Sequence, residues 1–468
     1  MDVSDLRIAL FSGNYNMTVD GANKALNRLV GYLLRQGASV RVYSPTVAEP
    51  DFEPTGDLVS VPSMAIPNRP EYRIPLHFSA RVREDIAKFA PNILHISSPD
   101  RVSRQVAAWA RRRNIPVACS VHTRFETYFR YYNLSFLEPI MVAWLRRLYR
   151  RCDALIAPSE SFAQVLREQR MNYDIGIWTR GVERDIFRPD RREASWRQSW
   201  GIADDMPVIA FLGRLVMEKG LDVFADTIDV LERRKVRHQV VVIGEGPAGD
   251  WFESRLPQAK FVGFQGGPNL ARAIASCDML FNPSVTETFG NVTLEAMACG
   301  LPVVAARATG SASIVKHGQT GYLVDPGSIT GFADDLERYC TDAGLRAAHG
   351  AAALAESMAY EWDAINQSVA DTYLRVRRRC AGRCGRCRRA GSARRTVAPA
   401  QPRRCRRTGA SDRRRRRDRA HGCGGAIVVD HPVGAAGHGQ DDDRAPARRS
   451  GGDALRAAVG GVFGRRRP

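Results

Sequence analysis

The chain has 468 residues, 44% of them hydrophobic, and a formal charge of +19, which taken whole points to a nucleic-acid or membrane partner. The charge is not evenly spread: residues 381–468 hold 23 Arg and 7 Asp with no Lys or Glu, leaving 46 basic and 43 acidic residues in 1–380. The globular part is nearly neutral, and no apolar run reaches the roughly 18 residues of a spanning helix, which excludes a helical membrane protein.

The chain opens Met1-Asp-Val-Ser-Asp5, acidic and without a targeting pattern, so a cytoplasmic location is expected. Leu6–Ser12 reads as a buried strand ending at Gly13, and Gly21–Arg35 follows with helical periodicity up to the stop at Gly37. Val40–Ser44, Ile93–Ser97, Val117–His122 and Ala154–Pro158 are further strands separated by helical stretches. A second run of the same kind starts at Val208–Gly213 and continues with Gln239–Gly244, Lys260–Gly263, Met279–Pro283 and Pro302–Ala306. Strands alternating with helices predict an α/β chain of two doubly wound parallel sheets. Between the runs, residues 188–206 are polar and carry no buried strand. The expected organisation is a first domain at 1–187, a linker at 188–206, a second domain at 207–356, a final amphipathic helix at 357–376 and a tail at 381–468. The single cysteines Cys119, Cys152, Cys277, Cys299 and Cys340 read as buried thiols in a reducing compartment.

Two segments carry chemistry. In Phe211-Leu-Gly-Arg-Leu-Val-Met-Glu-Lys-Gly-Leu-Asp222, a strand delivers Gly213 and Arg214 to the ligand rim of an open sheet, and Lys219 follows near the next helix start. Two cations converging on one point suit a diphosphate, Arg as a bidentate fork and Lys as a point charge. In the string from Ser284 to Ala305, a loop enters a helix, a glycine stop follows at Gly300, and Pro302 leads into a buried strand. Phe289, Gly290 and Asn291 stand at the helix N-terminus, where backbone N–H groups and the helix dipole favour an anion. Glu287 lies just before that end and Glu295 about two turns in, so two carboxylates can hold hydroxyls on either side of the anion. An anion flanked by polyol-binding carboxylates describes a nucleotide sugar. The opposing reading is an ordinary αβ unit with solvated glutamates.

This string resembles the retaining glycosyltransferases of family 4, whose mark is two glutamates separated by seven residues in such a context. The resemblance runs from about Arg7 to about Tyr373. It implies the GT-B fold, two Rossmann-like domains facing a cleft, with the final helix crossing back onto the first domain. It implies that Arg214 and Lys219 bind the donor diphosphate and neutralise the leaving group. Gly244 and Gly246, in Val242-Ile-Gly-Glu-Gly-Pro247, match a loop beside the nucleoside, and Val262, in Phe261-Val-Gly-Phe264, matches a segment whose backbone reads the base. In Val19-Asp-Gly-Ala22, Gly21 is the candidate for backbone access to phosphate, where many relatives carry two glycines. His122, in Ser120-Val-His-Thr123, matches a histidine close to the donor sugar. The implied reaction is a same-face displacement, with Glu287 as a hydroxyl and transition-state ligand rather than a base, and without an obligatory metal.

Residues 130–151 combine aromatics, an apolar centre and a closing cluster of four arginines, which fits either a segment on an anionic lipid surface or a core-packed helix with a solvated basic face. With His122-Thr-Arg-Phe-Glu-Thr-Tyr128, the stretch looks most like the branch of lipid mannosyltransferases and sulfoquinovosyl-diacylglycerol synthases. That resemblance implies a diacylglycerol-type acceptor and a peripheral place on the inner face of the membrane, with soluble or polysaccharide-intermediate acceptors as the alternative. Two other classes stand beside this reading. A GT-B 2-epimerase would not need the Glu287/Glu295 string, and a nucleic-acid-binding protein would rest on Arg413–Arg417 and the rest of the tail. Arg, Ala, Gly and Pro supply 58 of the 88 tail residues, a composition that cannot bury a core and predicts disorder. It also matches a G+C-rich gene read out of frame from near Arg375–Cys380; an intact frame on resequencing would sink that idea. The spacing of Cys380, Cys384 and Cys387 is a chance match to radical iron–sulfur enzymes.

Overall fold

The computed structural model describes residues 2–18, 21–66, 69–123 and 135–393. Its first half contains strands β1 (Arg7–Phe11), β2 (Ser39–Ser44), β3 (Asp57–Ser60), β4 (Ser63–Ile66), β5 (Arg69–Pro75), β6 (Ile93–Ile96), β7 (Val117–Ser120), β8 (Ala154–Ala157) and β9 (Ile175–Ile177). Seven of them form a parallel sheet in the order β3-β2-β1-β6-β7-β8-β9, and β4 and β5 make an antiparallel hairpin beside it. The second half contains β10 (Val208–Leu212), β11 (Gln239–Ile243), β12 (Lys260–Phe261), β13 (Met279–Asn282), β14 (Val303–Ala306) and β15 (Gly321–Val324). These form a second parallel sheet, β12-β11-β10-β13-β14-β15. Helices cover both faces of each sheet, so inner strands such as β8 (Ala-Leu-Ile-Ala) and β14 (Val-Val-Ala-Ala) are buried throughout. Each sheet carries one apolar cluster on either face.

The helix expected at Gly21–Arg35 is found at those residues, and the two-domain α/β architecture is as predicted. The segment at 188–206 is not a bare linker. It contains a helix at Ala194–Ser199 that packs on the second domain through Arg197, which is 1% exposed. The Arg197 guanidinium pairs with Asp278 at 3.1 Å and donates to the carbonyls of Ser276, Ala203 and Met206. In sequence this buried arginine, whose two terminal nitrogens are engaged, looks like a solvent-facing charge.

The final helix spans Trp362–Ala393, beginning later than expected and continuing past 381 into the segment predicted to be disordered. The rest of that tail lies outside the described residues, as do residues 124–134 of the aromatic and basic stretch. Ile365, Val369, Ala370, Tyr373, Leu374 and Val376 of this helix enter the first domain's core, so it does cross back as the resemblance implied.

Strand order reverses between β1 and β6 in the first sheet and between β10 and β13 in the second. Open parallel sheets bind ligands at such switch points, outside the carboxyl ends of the strands. The loop after β10 carries Gly213–Lys219 and the loop after β13 carries Glu287, so both signature segments lie at the switch of the second domain.

Candidate active site

Lys219 ends a 3₁₀ turn at Met217–Lys219, and its Nζ lies 2.7 Å from Glu287 Oε1. The two loops are tied again by Thr286 Oγ1 donating to the Glu218 carbonyl at 3.2 Å. Glu287 is held from the other side as well. Thr309 Oγ1 donates to its carbonyl at 2.9 Å, and a Cβ on Gly310 would come within 2.8 Å of the Glu287 Cβ, so only glycine lets that segment close on the loop. Arg214, expected to converge with Lys219, is exposed; the ion pair of Lys219 that forms is with Glu287.

Gly290 precedes the helix Asn291–Ala298 at φ +102, and no side chain caps the helix start. Gly290, Asn291 and Val292 line the cleft cavity, so the uncapped helix start, with its unpaired first N–H groups, borders it. Phe289 is buried and packs edge-on against Tyr360, so its ring serves the core and only its backbone is available to a ligand. Glu295 is the fifth residue of the helix, little more than one turn in rather than two. It is half-buried, and desolvation pushes its carboxyl up to about 7, with Lys24 opposing and Glu287 reinforcing the shift. Among the described residues no hydrogen-bond donor meets that carboxyl.

The first domain closes the other wall. Gly21 opens its helix so near Asn291 that a Cβ would lie 2.4 Å from Asn291 Nδ2. Gly21, His122, Arg180, Lys219, Glu287, Gly290 and Asn291 line one cavity. Lys24, Arg28, Phe264, Gly266, Asn291 and Glu295 line the adjoining one. Thr288 Oγ1 donates to the His122 carbonyl at 3.0 Å, and Ser159 Oγ donates to the Thr288 carbonyl at 2.9 Å, so the Glu287 loop is stitched to the first domain on both sides.

His122 does stand at the cleft, but both ring nitrogens are engaged. Arg180 donates to Nδ1 at 2.9 Å, and Ser120 Oγ lies 2.8 Å from Nε2. Burial first, and the Arg180 charge second, hold the imidazole well below its usual range. A neutral ring with occupied nitrogens is a polar wall, not a general base.

Gly213, Gly244 and Gly246 answer a packing demand at the rim. A Cβ on Gly244 would lie 2.0 Å from the Gly213 carbonyl oxygen, and one on Gly246 would lie 2.4 Å from that of Leu215. Glycine there lets the loops after β10 and β11 touch. Val262 is buried at the end of β12, next to the exposed Phe264.

Sequence reasoning missed Arg180, Lys24, Thr288 and Ser159. Arg180 follows β9, a strand too short to announce itself; had β9 been read, its loop would have pointed to the rim.

Two facing Rossmann-like domains with a candidate ligand site at the switch points define a GT-B glycosyltransferase. The comparisons with known proteins agree. Residues 19–186 match the family model "Glycosyltransferase Family 4" and residues 206–342 match "Glycosyl transferases group 1". Sulfoquinovosyl transferase SQD2 of Arabidopsis thaliana is 30% identical over 372 residues, covering 78% of this chain and 72% of that protein. A GDP-mannose-dependent alpha-mannosyltransferase of Corynebacterium glutamicum is 28% identical over 329 residues, covering 69% and 78%. In fold, sucrose-phosphate synthase from Thermosynechococcus elongatus superposes with a TM-score of 0.65 at 20% identity, over 79% of this chain and 98% of that one. The chain belongs to glycosyltransferase family 4, in the branch that holds the mannosyltransferases and SQD2, and is a nucleotide-sugar-dependent hexosyltransferase.

Proposed function

We propose that this enzyme transfers a hexose, with retention of configuration, from a nucleotide diphosphate sugar to a diacylglycerol-type lipid. The observation that carries the donor half is the meeting of Lys219 and Glu287 at the open start of the helix Asn291–Ala298. In this reading the diphosphate lies at the helix start and exchanges for Glu287 as the partner of Lys219. Glu287, released toward the sugar, holds its hydroxyls, and Glu295 holds the ribose hydroxyls. Arg214 swings in from its exposed position to complete the charge on the leaving group. Gly21 gives the first domain's backbone access to the phosphates, and the loops at Gly244, Gly246 and Val262 edge the base. The leaving diphosphate is stabilised electrostatically, an oxocarbenium-like sugar forms, and the acceptor hydroxyl attacks the face just vacated. No metal is required, so full turnover in EDTA is the expected result.

The acceptor half rests on the first domain. Ile74, Pro75, Leu137, Ile140, Met141 and Trp144 line an apolar groove that reaches Gly13 and Ser98, at the switch of that sheet. Met64 and Ile74 face each other across the β4–β5 hairpin, and both are exposed, as are Phe136 and Ile140 at the start of the helix Glu138–Tyr149. The basic residues beyond are partly structural, since Arg146 and Arg150 donate to the carbonyls of Gln169 and Arg170. Arg147 is exposed. A sulfoquinovosyl transferase and a GDP-mannose-dependent alpha-mannosyltransferase among the relatives support a reading in which the product is a glycolipid made at a membrane surface. No helix among the described residues is long and apolar enough to cross a membrane. The test supplies anionic vesicles containing diacylglycerol and reads the product's anomeric configuration by NMR. An inverted product would overturn retention, and transfer only to soluble acceptors would overturn the lipid.

A further inference from the structure

Three polar side chains continue inward from His122. Ser120 Oγ, 2.8 Å from His122 Nε2, is also 2.9 Å from His95 Nε2, and His95 Nδ1 is 2.6 Å from the hydroxyl of Tyr373. His95, Ser120 and Tyr373 are at most 2% exposed. Tyr373 belongs to the crossing helix, 278 residues from His95 in sequence, so the chain of contacts runs from that helix through β6 and β7 to the cleft. Trp178 flanks it: its ring meets His95 and His122 edge-on, its Nε1 donates to Asn366 of the same crossing helix, and Arg180 lies over its face.

The proton positions are constrained. A guanidinium can only donate, so His122 Nδ1 must accept from Arg180, and the ring proton must sit on Nε2. That Nε2–H donates to Ser120. The far half closes in either of two ways: Tyr373 donates to His95 and His95 donates to Ser120, or both bonds run in reverse. In each, Ser120 accepts from His122, and its position is set by His95, whose own ring is set by Tyr373. Burial pushes His95 down to about 3, so this link stays neutral at every pH at which the protein works.

We propose that Tyr373, with His95 and Ser120, is a positioning residue: from the crossing helix it fixes the place of Ser120 and with it the ring plane of His122, whose tautomer Arg180 sets, so that docking of that helix and a competent cleft are one event. This rests on the reading of His122 as part of the donor-sugar wall. Domain tethering alone needs only the apolar face of the helix; a buried phenol aimed at a buried histidine is unnecessary for it. The arrangement makes the cleft sensitive to how the first half of the crossing helix is seated.

The test uses full-length protein, with Tyr373→Phe, which keeps the ring, Ser120→Ala, and the double variant. Nitrogen-15 chemical shifts of labelled histidines, assigned with His122→Gln, report the hydrogen bond of His122 Nε2 without turnover and so stand apart from the assigned reaction. The expected result in Tyr373→Phe is a displaced His122 Nε2–H signal, as its bond to Ser120 loosens, with the tautomer unchanged. It comes with a fall in kcat of about tenfold, donor KM within about twofold, and a double variant no worse than Ser120→Ala alone. An unmoved His122 signal in both single variants overturns the proposal, whatever the stability change. A shifted signal with unchanged kcat also overturns the proposed link to catalysis, and independent multiplication of the two kcat losses would do the same.

Discussion

Glu295→Gln is expected to stabilise the protein in neutral and alkaline solution while removing the carboxylate proposed to hold the donor's ribose. Burial raises the Glu295 carboxyl from its ordinary 4.5 to about 7. Its folded pKa lies above its unfolded one, so between those values the native chain binds more protons and stability falls as pH rises. The group's contribution is complete below about 4.5 and is lost as pH climbs through about 7, above which the charged form remains a fixed penalty. At about 1.4 kcal/mol for each pH unit between the two values, that penalty reaches about 3 kcal/mol, an upper figure because the carboxyl is only half-buried and Lys24 opposes the shift. Glutamine keeps the shape and removes the charge. Thermal denaturation of both proteins across this range should show matching midpoints near the acid end. The gap should widen to on the order of 5 °C in favour of the variant above neutrality. A gap independent of pH, or a variant less stable in alkali, would refute the argument that the site holds this carboxylate against its solvation.

If Lys219 neutralises the leaving group as proposed, Lys219→Met should lower kcat by roughly 10²–10³; steady-state kinetics with saturating donor would show it, and a loss confined to KM would contradict that role. Arg197→Ala should cost about 1–3 kcal/mol, because the carbonyls of Ser276, Ala203 and Met206 lose their buried donor while Asp278 keeps Arg192, seen as a lower midpoint in urea with the kinetics of the surviving folded protein unchanged. Truncation after Cys380 should keep the wild-type melting temperature, because the core contribution of the final helix ends at Val376. Truncation after Asn366 should unfold the first domain, since Val369, Tyr373 and Leu374 would leave its core.

The elements legible in sequence were those whose pattern is local. Gly21–Arg35 announces itself by an amphipathic run with a glycine stop, and strands buried on both faces announce themselves as apolar runs. The Glu287 and Glu295 pair was legible because one contiguous segment carries both. What stayed hidden depends on contacts made only after folding. Strand β9 is three residues long and contains Gly176, where a Cβ would lie 2.5 Å from Thr372 Oγ1 of the crossing helix. Strand β3 is a half-exposed edge. Strand β15 is four residues long and begins at Gly321, where a Cβ would lie 2.1 Å from the Val303 carbonyl oxygen. Arg197 has the composition of a surface residue and the place of a core one. The setting of His122 needs Arg180, Ser120, His95 and Tyr373 together, and no spacing along the chain encodes that meeting.

The most direct test of the central claim is transfer of labelled sugar from uridine- and guanosine-diphosphate donors, by the full-length enzyme with diacylglycerol vesicles, beside Glu287→Gln. The account predicts a labelled lipid from one donor and, in the variant, retained donor binding with transfer reduced by at least about a hundredfold. Undiminished transfer by Glu287→Gln would contradict the placing of the reaction at the Lys219–Glu287 pair.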